Sequence, residues 1–404
     1  MTDESRACYG SSRNSKEVLL MGPGPSNCDP RVLRAMSEPT LGHLDPRFLA
    51  IMTETMDLLK SVFQTTNHLT LVMPGTGSAG METSCVNLLE PGDRAIVCVH
   101  GVFGERLADV ASRCGAEVTV VEAPRGQPVD PAGVRAAFSR TKGVKVLAIV
   151  HAETSTGVLQ PLDEIVEIAH SNGAMVLVDT VTSLGGVPVD VDRRGFDFVY
   201  SGTQKCLSCP PGLAPVTLND RAAKVVAERK TKVQSWYLDL NMIQRYWGKE
   251  RFYHHTAPVN MIYALHEAVR IIAEEGLEAR FNRHRQNWSA LVAGLEAMGL
   301  KPFVAPEFRL PSLTTVSIPE GIDDATGRSR LLNEYNIEIG GGLGAMKGKV
   351  WRVGLMGHTS RRHNVLLFLS AMGSVLRSMG FSADVGSALA AAEEVYLAEA
   401  RRKP

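Results

Sequence analysis

Between about residues 60 and 220, the chain alternates short apolar runs with longer amphipathic stretches. Several short runs are apolar at successive positions, as expected for strands that are covered on both faces. Two of the longer stretches, residues 102–114 and 162–172, repeat apolar side chains at helical spacing. This alternation predicts βαβ units and a mostly parallel sheet. The predicted strands are 69–73, 94–99, 118–121, 145–151, 175–179, 196–200 and 214–218.

The pattern changes past residue 260, where helical spacing dominates. A long helix is predicted over 259–275, with Gly276 as its C-cap. Further helices are predicted over 280–298, 329–336 and 364–379, and strands over 313–319 and 349–355. These elements indicate a smaller α+β unit.

The last twenty residues include the Ala-rich segment ALAAAEEVYLAEARRK, typical of an appended amphipathic helix. Solvation or packing against a partner explains such a helix better than chemistry does. We therefore expect four parts: an N-terminal arm over 1–20, a large domain over 21–275, a small domain over 276–383 and a C-terminal helix over 384–404.

Composition narrows the classes of function. The 404 residues are 44% hydrophobic and 21% charged, which suits a globular protein with a large core. Forty-three basic and forty-three acidic side chains give a formal net charge of zero, so no nucleic-acid or membrane-surface partner is expected. No apolar stretch is long enough to span a bilayer, and the polar start has no secretory h-region. Seven scattered cysteines are typical of reduced thiols, so a cytoplasmic location is expected.

Polar residues follow three of the predicted strands, where open α/β sheets bind their ligands. The first group is PGTGSAG at 74–80, which opens a helix. Glycines allow backbone N–H groups to approach an anion, and the hydroxyls of Thr76 and Ser78 can complete a phosphate cup. The segment matches neither the Walker pattern nor a dinucleotide fingerprint, and an ordinary strand–helix turn explains it equally well.

The second and third groups contain an acid and a lysine. Asp179 ends the apolar run VLVD, where a carboxylate needs a partner such as a pyridinium nitrogen; a helix-capping role is the common alternative. Lys205 ends SGTQK and is followed by two cysteines and two prolines, so it is expected to be shielded from solvent. Desolvation favours the neutral amine that forms a Schiff base. Together the three groups can bind one phosphate, one pyridinium and one aldehyde.

Blocks spread over residues 20–380 resemble a known family, the class V, fold-type-I pyridoxal-phosphate aminotransferases, and within it the alanine–glyoxylate / serine–pyruvate branch. The resemblance implies an α/β fold: a large domain with a mostly parallel seven-stranded sheet, and a smaller α+β C-terminal domain. The matching blocks are MGPGPSN at 21–27, PGTG at 74–77, EPGD at 90–93, ETSTG at 153–157, LQPL at 159–162, VDTVTSLGG at 178–186, SGTQK at 201–205, YHHT at 253–256 and KVWRVG at 349–354.

The resemblance implies a role for each matched residue. Lys205 would be the catalytic Schiff-base lysine, Asp179 would face the pyridinium nitrogen, and Phe103 would stack on the ring where most relatives carry Trp. Arg352 would clamp the substrate α-carboxylate, with Gly24 and His43 also on the substrate side. The other implied cofactor-binding residues are Thr76, Gly77, Ser78, Thr154, Val181, Gln204, Tyr253 and Thr256, of which Tyr253 and Thr256 would come from the second subunit of a homodimer.

The implied activity is ping-pong transfer of an amino group from alanine or serine to glyoxylate or pyruvate, on pyridoxal 5′-phosphate. A related enzyme using 3-hydroxykynurenine or ureidoglycine as donor is the alternative; the segment Gly42-His43-Leu44 matches neither the Ser/Asn type nor the Gln type of those branches. A cysteine desulfurase-like lyase is disfavoured because no cysteine follows Cys209. A non-catalytic regulatory protein is disfavoured because the lysine is present and no DNA-binding unit is fused.

Two other sequence patterns are weak evidence for a functional site. The pair Cys206 and Cys209 has CxxC spacing but no second pair, so no metal site is expected. The glycine-rich GGGLG at 340–344 lacks the lysine of a Walker loop. We interpret it as a turn before the strand that carries Arg352.

Overall fold

A computed structural model describes residues 17–401. Most of the predicted N-terminal arm (1–16) and the end of the predicted C-terminal helix (402–404) lie outside the described residues. No helix among those described is both long enough and apolar enough to cross a membrane.

The described strands are β1 Leu19–Leu20, β2 Leu69–Pro74, β3 Arg94–Val99, β4 Glu117–Glu122, β5 Val144–Val150, β6 Ala152–Glu153, β7 Val158–Leu159, β8 Met175–Asp179, β9 Phe198–Tyr200, β10 Leu213–Leu218, β11 Leu313–Ser317, β12 Ile337–Glu338, β13 Gly340–Gly341 and β14 Val350–Gly354.

The described α-helices are α1 Pro30–Met36, α2 Pro46–Phe63, α3 Gly77–Leu88, α4 Val102–Arg113, α5 Pro131–Arg140, α6 Asp163–Ser171, α7 Val191–Arg194, α8 Asp220–Ala227, α9 Leu240–Trp247, α10 Val259–Glu275, α11 Leu277–Ala297, α12 Asp324–Tyr335, α13 Arg362–Ser378 and α14 Val385–Ala400.

All seven strands predicted before residue 220 form one sheet, in the order β2-β10-β9-β8-β5-β3-β4. Strand β10 runs antiparallel to both of its neighbours, and the remaining pairs are parallel. The central strands are buried along their whole length; in β8, for example, every residue is buried. Burial on both faces explains why these runs are apolar at successive positions.

A second apolar core lies in the C-terminal part of the chain. It gathers side chains from α11, α13 and α14 around Trp351 and Val353 of β14, and it includes Met21 from the N-terminal side. Strand β14 is the middle strand of a three-stranded antiparallel sheet with β11 and β13. Helix α14 packs into this core through Ala388, Ala392 and Tyr396. The domain limits expected from the sequence stay a prediction.

The predicted α/β class with a mostly parallel seven-stranded sheet is confirmed. Helix α10 has the predicted bounds, but α11 and α12 begin earlier than predicted, at Leu277 and Asp324. The start of α12 is set by Asp323, whose side chain accepts a hydrogen bond from the Thr326 N–H. The interpretation of 340–344 as a turn was partly wrong, because Gly340–Gly341 pair with Arg352 and Trp351 as strand β13.

Candidate active site

The carboxyl ends of β2, β5, β8 and β9 open into one cleft with a cavity volume of about 150 Å³. Nine of the residues predicted to bind the cofactor line this cleft. They are Thr76, Gly77, Ser78, Phe103, Thr154, Asp179, Val181, Gln204 and Lys205. The structure therefore brings together residues that are up to 129 positions apart in the sequence.

Lys205 is buried at the base of the cleft, and its Nζ donates a hydrogen bond to the carbonyl oxygen of Pro23. Burial, aided by the charge of Arg352, lowers the pKa of Lys205 to about 8. Gly24 lies directly against the lysine: a Cβ there would be 2.7 Å from Nζ. The segment around Gly24 therefore belongs to the site, and Lys205 has a substantial neutral fraction near pH 8.

Asp179 is held in a fixed orientation. Its Oδ1 accepts from the Val181 N–H at 2.8 Å, and its Oδ2 accepts from the Tyr200 hydroxyl at 2.7 Å. Burial nevertheless raises the pKa of Asp179 to about 6. A cationic ring nitrogen in the cleft would offset this desolvation, so the environment of Asp179 fits a pyridinium.

The start of α3 fits an anion. Thr76 is the N-cap, but its side chain makes no capping hydrogen bond to the helix. Gly77 lies so close to Val181 that a Cβ would be 3.1 Å from Val181 Cγ2. Unused donors at a helix N-terminus favour a phosphate at this end of the cleft.

Phe103 is held over the cleft by a carboxylate that the sequence did not single out. The buried Glu153 accepts from the N–H groups of Phe103 (3.2 Å) and Gly104 (3.3 Å) at the start of α4. It also accepts from the N–H and hydroxyl of Ser155, at 3.0 and 2.6 Å. A Cβ at Gly101 would overlap this carboxylate. Glu153 thus fixes the start of α4 to the strand end that carries Thr154.

Arg352 projects from β14, and two of its donors are used within the chain. Nε donates to the Gly341 carbonyl at 2.7 Å and Nη1 to the Thr154 carbonyl at 3.2 Å. Burial lowers its pKa to about 10, so it remains a cation at neutral pH. Gly340 of β13 has no room for a side chain, because a Cβ there would lie 2.5 Å from Pro23 Cδ. The glycine therefore lets β13 lie against the segment whose Pro23 carbonyl accepts from Lys205.

Five predicted residues are not among those that line the cleft. Gly24 and Arg352 lie beside it, in contact with Lys205 and Thr154. The other three, His43, Tyr253 and Thr256, lie elsewhere in their own chain. The His43 ring lies 5.0 Å from the Tyr253 ring, and the His43 carbonyl accepts from the Tyr246 hydroxyl at 2.7 Å. The Tyr253 hydroxyl lies 3.4 Å from Thr256 Oγ1, and Tyr253 is 50% exposed. Their implied roles at the site of a second subunit stay predictions.

Sequence reasoning missed five residues that line the cleft: Met81, Arg106, Val150, Ala152 and Thr182. Met81, Val150 and Ala152 are apolar and look like core residues, and Thr182 lies inside the VDTVTSLGG block without a role of its own. Arg106 had a usable signal, because it lies three positions after Phe103 on the same helix and so shares its face.

The family model described as Aminotransferase class-V matches residues 18–362, which is most of the chain. The chain belongs to the class-V aminotransferase family. Members of this family depend in general on pyridoxal phosphate and act on amino and oxo acids. The predicted family and enzyme class are confirmed.

Three relatives illustrate the likeness. The chain is 41% identical to the (S)-ureidoglycine–glyoxylate transaminase of Bacillus subtilis, over 93% of this chain and 95% of that protein. It is 43% identical to the alanine–glyoxylate aminotransferase of Rattus norvegicus, over 89% of this chain and 87% of that protein. A crystal structure of an alanine–glyoxylate aminotransferase from Nostoc sp. superposes with a TM-score of 0.90 at 48% identity, covering 93% of this chain and 100% of that one.

Proposed function

We propose that this class-V aminotransferase moves the amino group of alanine or serine to glyoxylate or pyruvate, with pyridoxal 5′-phosphate as cofactor. The observation that carries the proposal is the buried Lys205, which shares one cleft with Asp179 and stands close enough to Arg352 for that charge to lower its pKa. The glyoxylate named for the Bacillus, Rattus and Nostoc relatives supports it as acceptor.

The bound cofactor would supply an electron sink for the pair of electrons left when the Cα–H bond of the amino donor breaks. Lys205 Nζ would hold the cofactor and move the Cα proton, and its lowered pKa supports this because both tasks need the neutral amine. The Pro23 carbonyl accepts a hydrogen bond from Nζ and so orients it.

Asp179 would stabilise positive charge on the ring nitrogen, held in place by the Val181 N–H and the Tyr200 hydroxyl. Gly77, Ser78 and Gln204 would bind the phosphate, and Phe103 would cover one ring face. These roles follow from the resemblance and agree with the lining of the cleft.

Arg352 would bind the α-carboxylate that every amino and oxo acid of the reaction carries. Its Nη2 has no hydrogen-bond partner among the described residues, while Nε and Nη1 are fixed by backbone carbonyls. A guanidinium held this way presents a preoriented cation to a planar anion. The same clamp would serve both halves of a ping-pong reaction.

A homodimer would complete the site. Tyr253 and Thr256 lie outside their own cleft, and three aromatic side chains of this region are exposed: Tyr253 (50%), Phe252 (54%) and Trp236 (58%), which stacks on His254. Exposed large apolar side chains favour burial by a neighbouring copy, at whose site Tyr253, Thr256 and His43 would then contribute. The buried, unpaired thiols of Cys85, Cys98 and Cys206 agree with a cytoplasmic location.

Ureidoglycine is the second candidate donor, favoured by the identity to the Bacillus relative over 95% of its length. Against it stands His43 at the place where the resemblance implies a Gln-containing segment for that substrate. A 3-hydroxykynurenine donor, whose branch carries a Ser/Asn-type segment, is disfavoured in the same way.

The test is a panel of amino donors against glyoxylate and pyruvate, with the wild-type chain, Lys205→Ala and Arg352→Ala. We expect alanine or serine with glyoxylate to give the highest kcat/KM. Lys205→Ala should abolish turnover and the borohydride-stable adduct, whereas Lys145→Ala, which removes an ion pair with Asp93, should not. Arg352→Ala should raise KM for every donor, with a loss of about 3 kcal/mol or more in kcat/KM, and leave the cofactor bound. Recovery of the adduct on another lysine, or highest activity on ureidoglycine, would contradict the proposal.

A further inference from the structure

Among the described residues that line the cleft, Arg106 is the one arginine. We propose that Arg106 binds the phosphate of the cofactor and supplies a cation that the phosphate cup otherwise lacks. This inference rests on the proposed function, because it assigns a new residue to the same cofactor.

The charge balance of the cleft calls for such a cation. The groups implied for the phosphate, namely Gly77, Ser78, Gln204, Tyr253 and Thr256, are all neutral. The other two cations of the site are held by other groups. Lys205 donates a hydrogen bond to the Pro23 carbonyl, and Arg352 donates to the Gly341 and Thr154 carbonyls. A phosphate ester carries close to two negative charges near neutral pH, and a helix N-terminus offers only about half a positive charge.

The position of Arg106 fits the phosphate end of the cleft. Its Nη1 lies 3.4 Å from the hydroxyl oxygen of Ser78, the second residue of α3. Its guanidinium carbon lies 5.1 Å from the centroid of the Phe103 ring, one turn earlier on α4. Arg106 therefore extends from the aromatic platform to the start of α3, where the anion is expected.

No acidic side chain in the described part of the chain neutralises Arg106. Within residues 17–401 it forms no ion pair, although its helix is rich in them: Arg113 pairs with Asp109, and the neighbouring Glu105 pairs with Arg125 instead. The Phe103 ring restrains the guanidinium without cancelling its charge. An unneutralised arginine that lines a cleft is suited to bind an anionic ligand there.

The consequence is a phosphate-specific contribution to affinity. Loss of a charged hydrogen bond to a ligand weakens binding about ten- to a hundredfold. Removal of Arg106 should therefore weaken the binding of pyridoxal phosphate. It should leave the binding of pyridoxal unchanged, because pyridoxal lacks the phosphate but keeps the ring and the aldehyde.

The experiment measures binding to the full-length chain freed of cofactor, by fluorescence titration with pyridoxal phosphate and with pyridoxal. For Arg106→Ala we expect about ten- to hundredfold weaker binding of pyridoxal phosphate and unchanged binding of pyridoxal. Arg106→Lys should restore part of the affinity, and Arg113→Ala on the same helix should behave as the wild type. Inorganic phosphate should raise the thermal unfolding midpoint of the wild-type chain more than that of Arg106→Ala.

Other outcomes are also decisive. Equal losses for both aldehydes would show that Arg106 acts through the Phe103 platform, and unchanged binding of both would show that it has no role; either result overturns the inference and leaves the proposed function intact. A wild-type chain that binds neither aldehyde would overturn the proposed function as well. Arg106→Gln keeps a polar side chain beside Ser78 without the charge, so it gives the same comparison if Arg106→Ala does not fold.

Discussion

At the scale of single residues, burial shapes the chemistry of the cleft. It shifts the pKa of Asp179 upward and that of Lys205 downward, so both shifts favour neutral side chains before the cofactor binds. Keeping Asp179 charged at neutral pH therefore costs the empty chain stability. A pyridinium in the cleft would recover that cost as binding energy.

Replacement of Asp179 by Asn separates stability from function. The folded chain holds the Asp179 proton more tightly than an unfolded chain, in which the pKa is near 3.8. The free energy of unfolding should therefore fall as pH rises from about 4 to about 6, and Asp179→Asn should lack this fall. In urea unfolding at pH 7, the cofactor-free variant should be more stable than the wild type by up to about 3 kcal/mol.

The same variant should bind pyridoxal phosphate on the order of 100-fold more weakly, because the ring nitrogen loses its anionic partner. The exposed Asp109→Asn is the control and should change neither property. A variant whose stability follows the wild type at every pH would show that Asp179 does not titrate in this way.

Functional residues at or just after strand ends could be predicted from the sequence, but the residues that hold them in place could not. Asp179 stands out because a charged residue ends an apolar run, and Lys205 because it closes the polar segment SGTQK that follows one. Tyr200 ends a buried strand and looks like a core residue, and only the pairing of β8 with β9 places its hydroxyl against Asp179. Glu153 likewise acts through contacts to another element, which no local pattern reveals.

At the scale of elements, the site depends on how α4 is fixed to the strand ends. The buried carboxylate of Glu153 accepts from the first N–H groups of α4, where the helix dipole favours negative charge. It accepts from Ser155 as well, so one side chain joins the helix that carries Phe103 to the segment whose Thr154 carbonyl holds Arg352.

We expect Glu153→Gln to loosen this junction. The amide replaces one accepting oxygen by a donor that faces N–H groups, so the free energy of unfolding should fall by about 2–4 kcal/mol. Binding of pyridoxal phosphate should weaken too, and so should binding of pyridoxal, because Phe103 loses its support. The control is Glu105→Gln, an exposed residue on the same helix. Wild-type stability in Glu153→Gln would contradict the role assigned to the carboxylate.

Strands and helices were predicted well where burial leaves a continuous apolar run or a helical period in the sequence. All seven strands of the large sheet and the bounds of α10 follow from such patterns. Helix α2 was not predicted, although Asp45 caps it and Pro46 begins it. Strands as short as β12 and β13 have no period to detect, and the glycines of β13 become a strand only by pairing with β14.

At the scale of the whole molecule, two cores meet at the cleft. Arg352 comes from the sheet of the second core, and Lys205 and Asp179 come from strand ends of the first. Helix α14 reinforces the second core: the Tyr396 hydroxyl donates to Asn287 of α11 at 2.8 Å. Because Gly294 has no side chain, α14 can lie close to α11; a Cβ there would be 3.0 Å from the Ala388 carbonyl oxygen. The C-terminal helix is thus part of the fold rather than a loose appendage.

A site shared between two copies of the chain makes a prediction that hybrid dimers can test. Lys205→Ala disables one chain, and Tyr253→Ala with Thr256→Ala disables another, so each homodimer should be nearly inactive. In a purified hybrid of the two, one site combines both defects and the other has none, so turnover should return to about half that of the wild type. The matched control places all three substitutions in one chain and pairs it with a wild-type chain. That hybrid should have almost no turnover, because each of its sites then has a defect. If each site were instead built within a single chain, the first hybrid would be nearly inactive and the control hybrid would have about half the wild-type turnover. That result would show that the proposed sharing of Tyr253 and Thr256 is wrong.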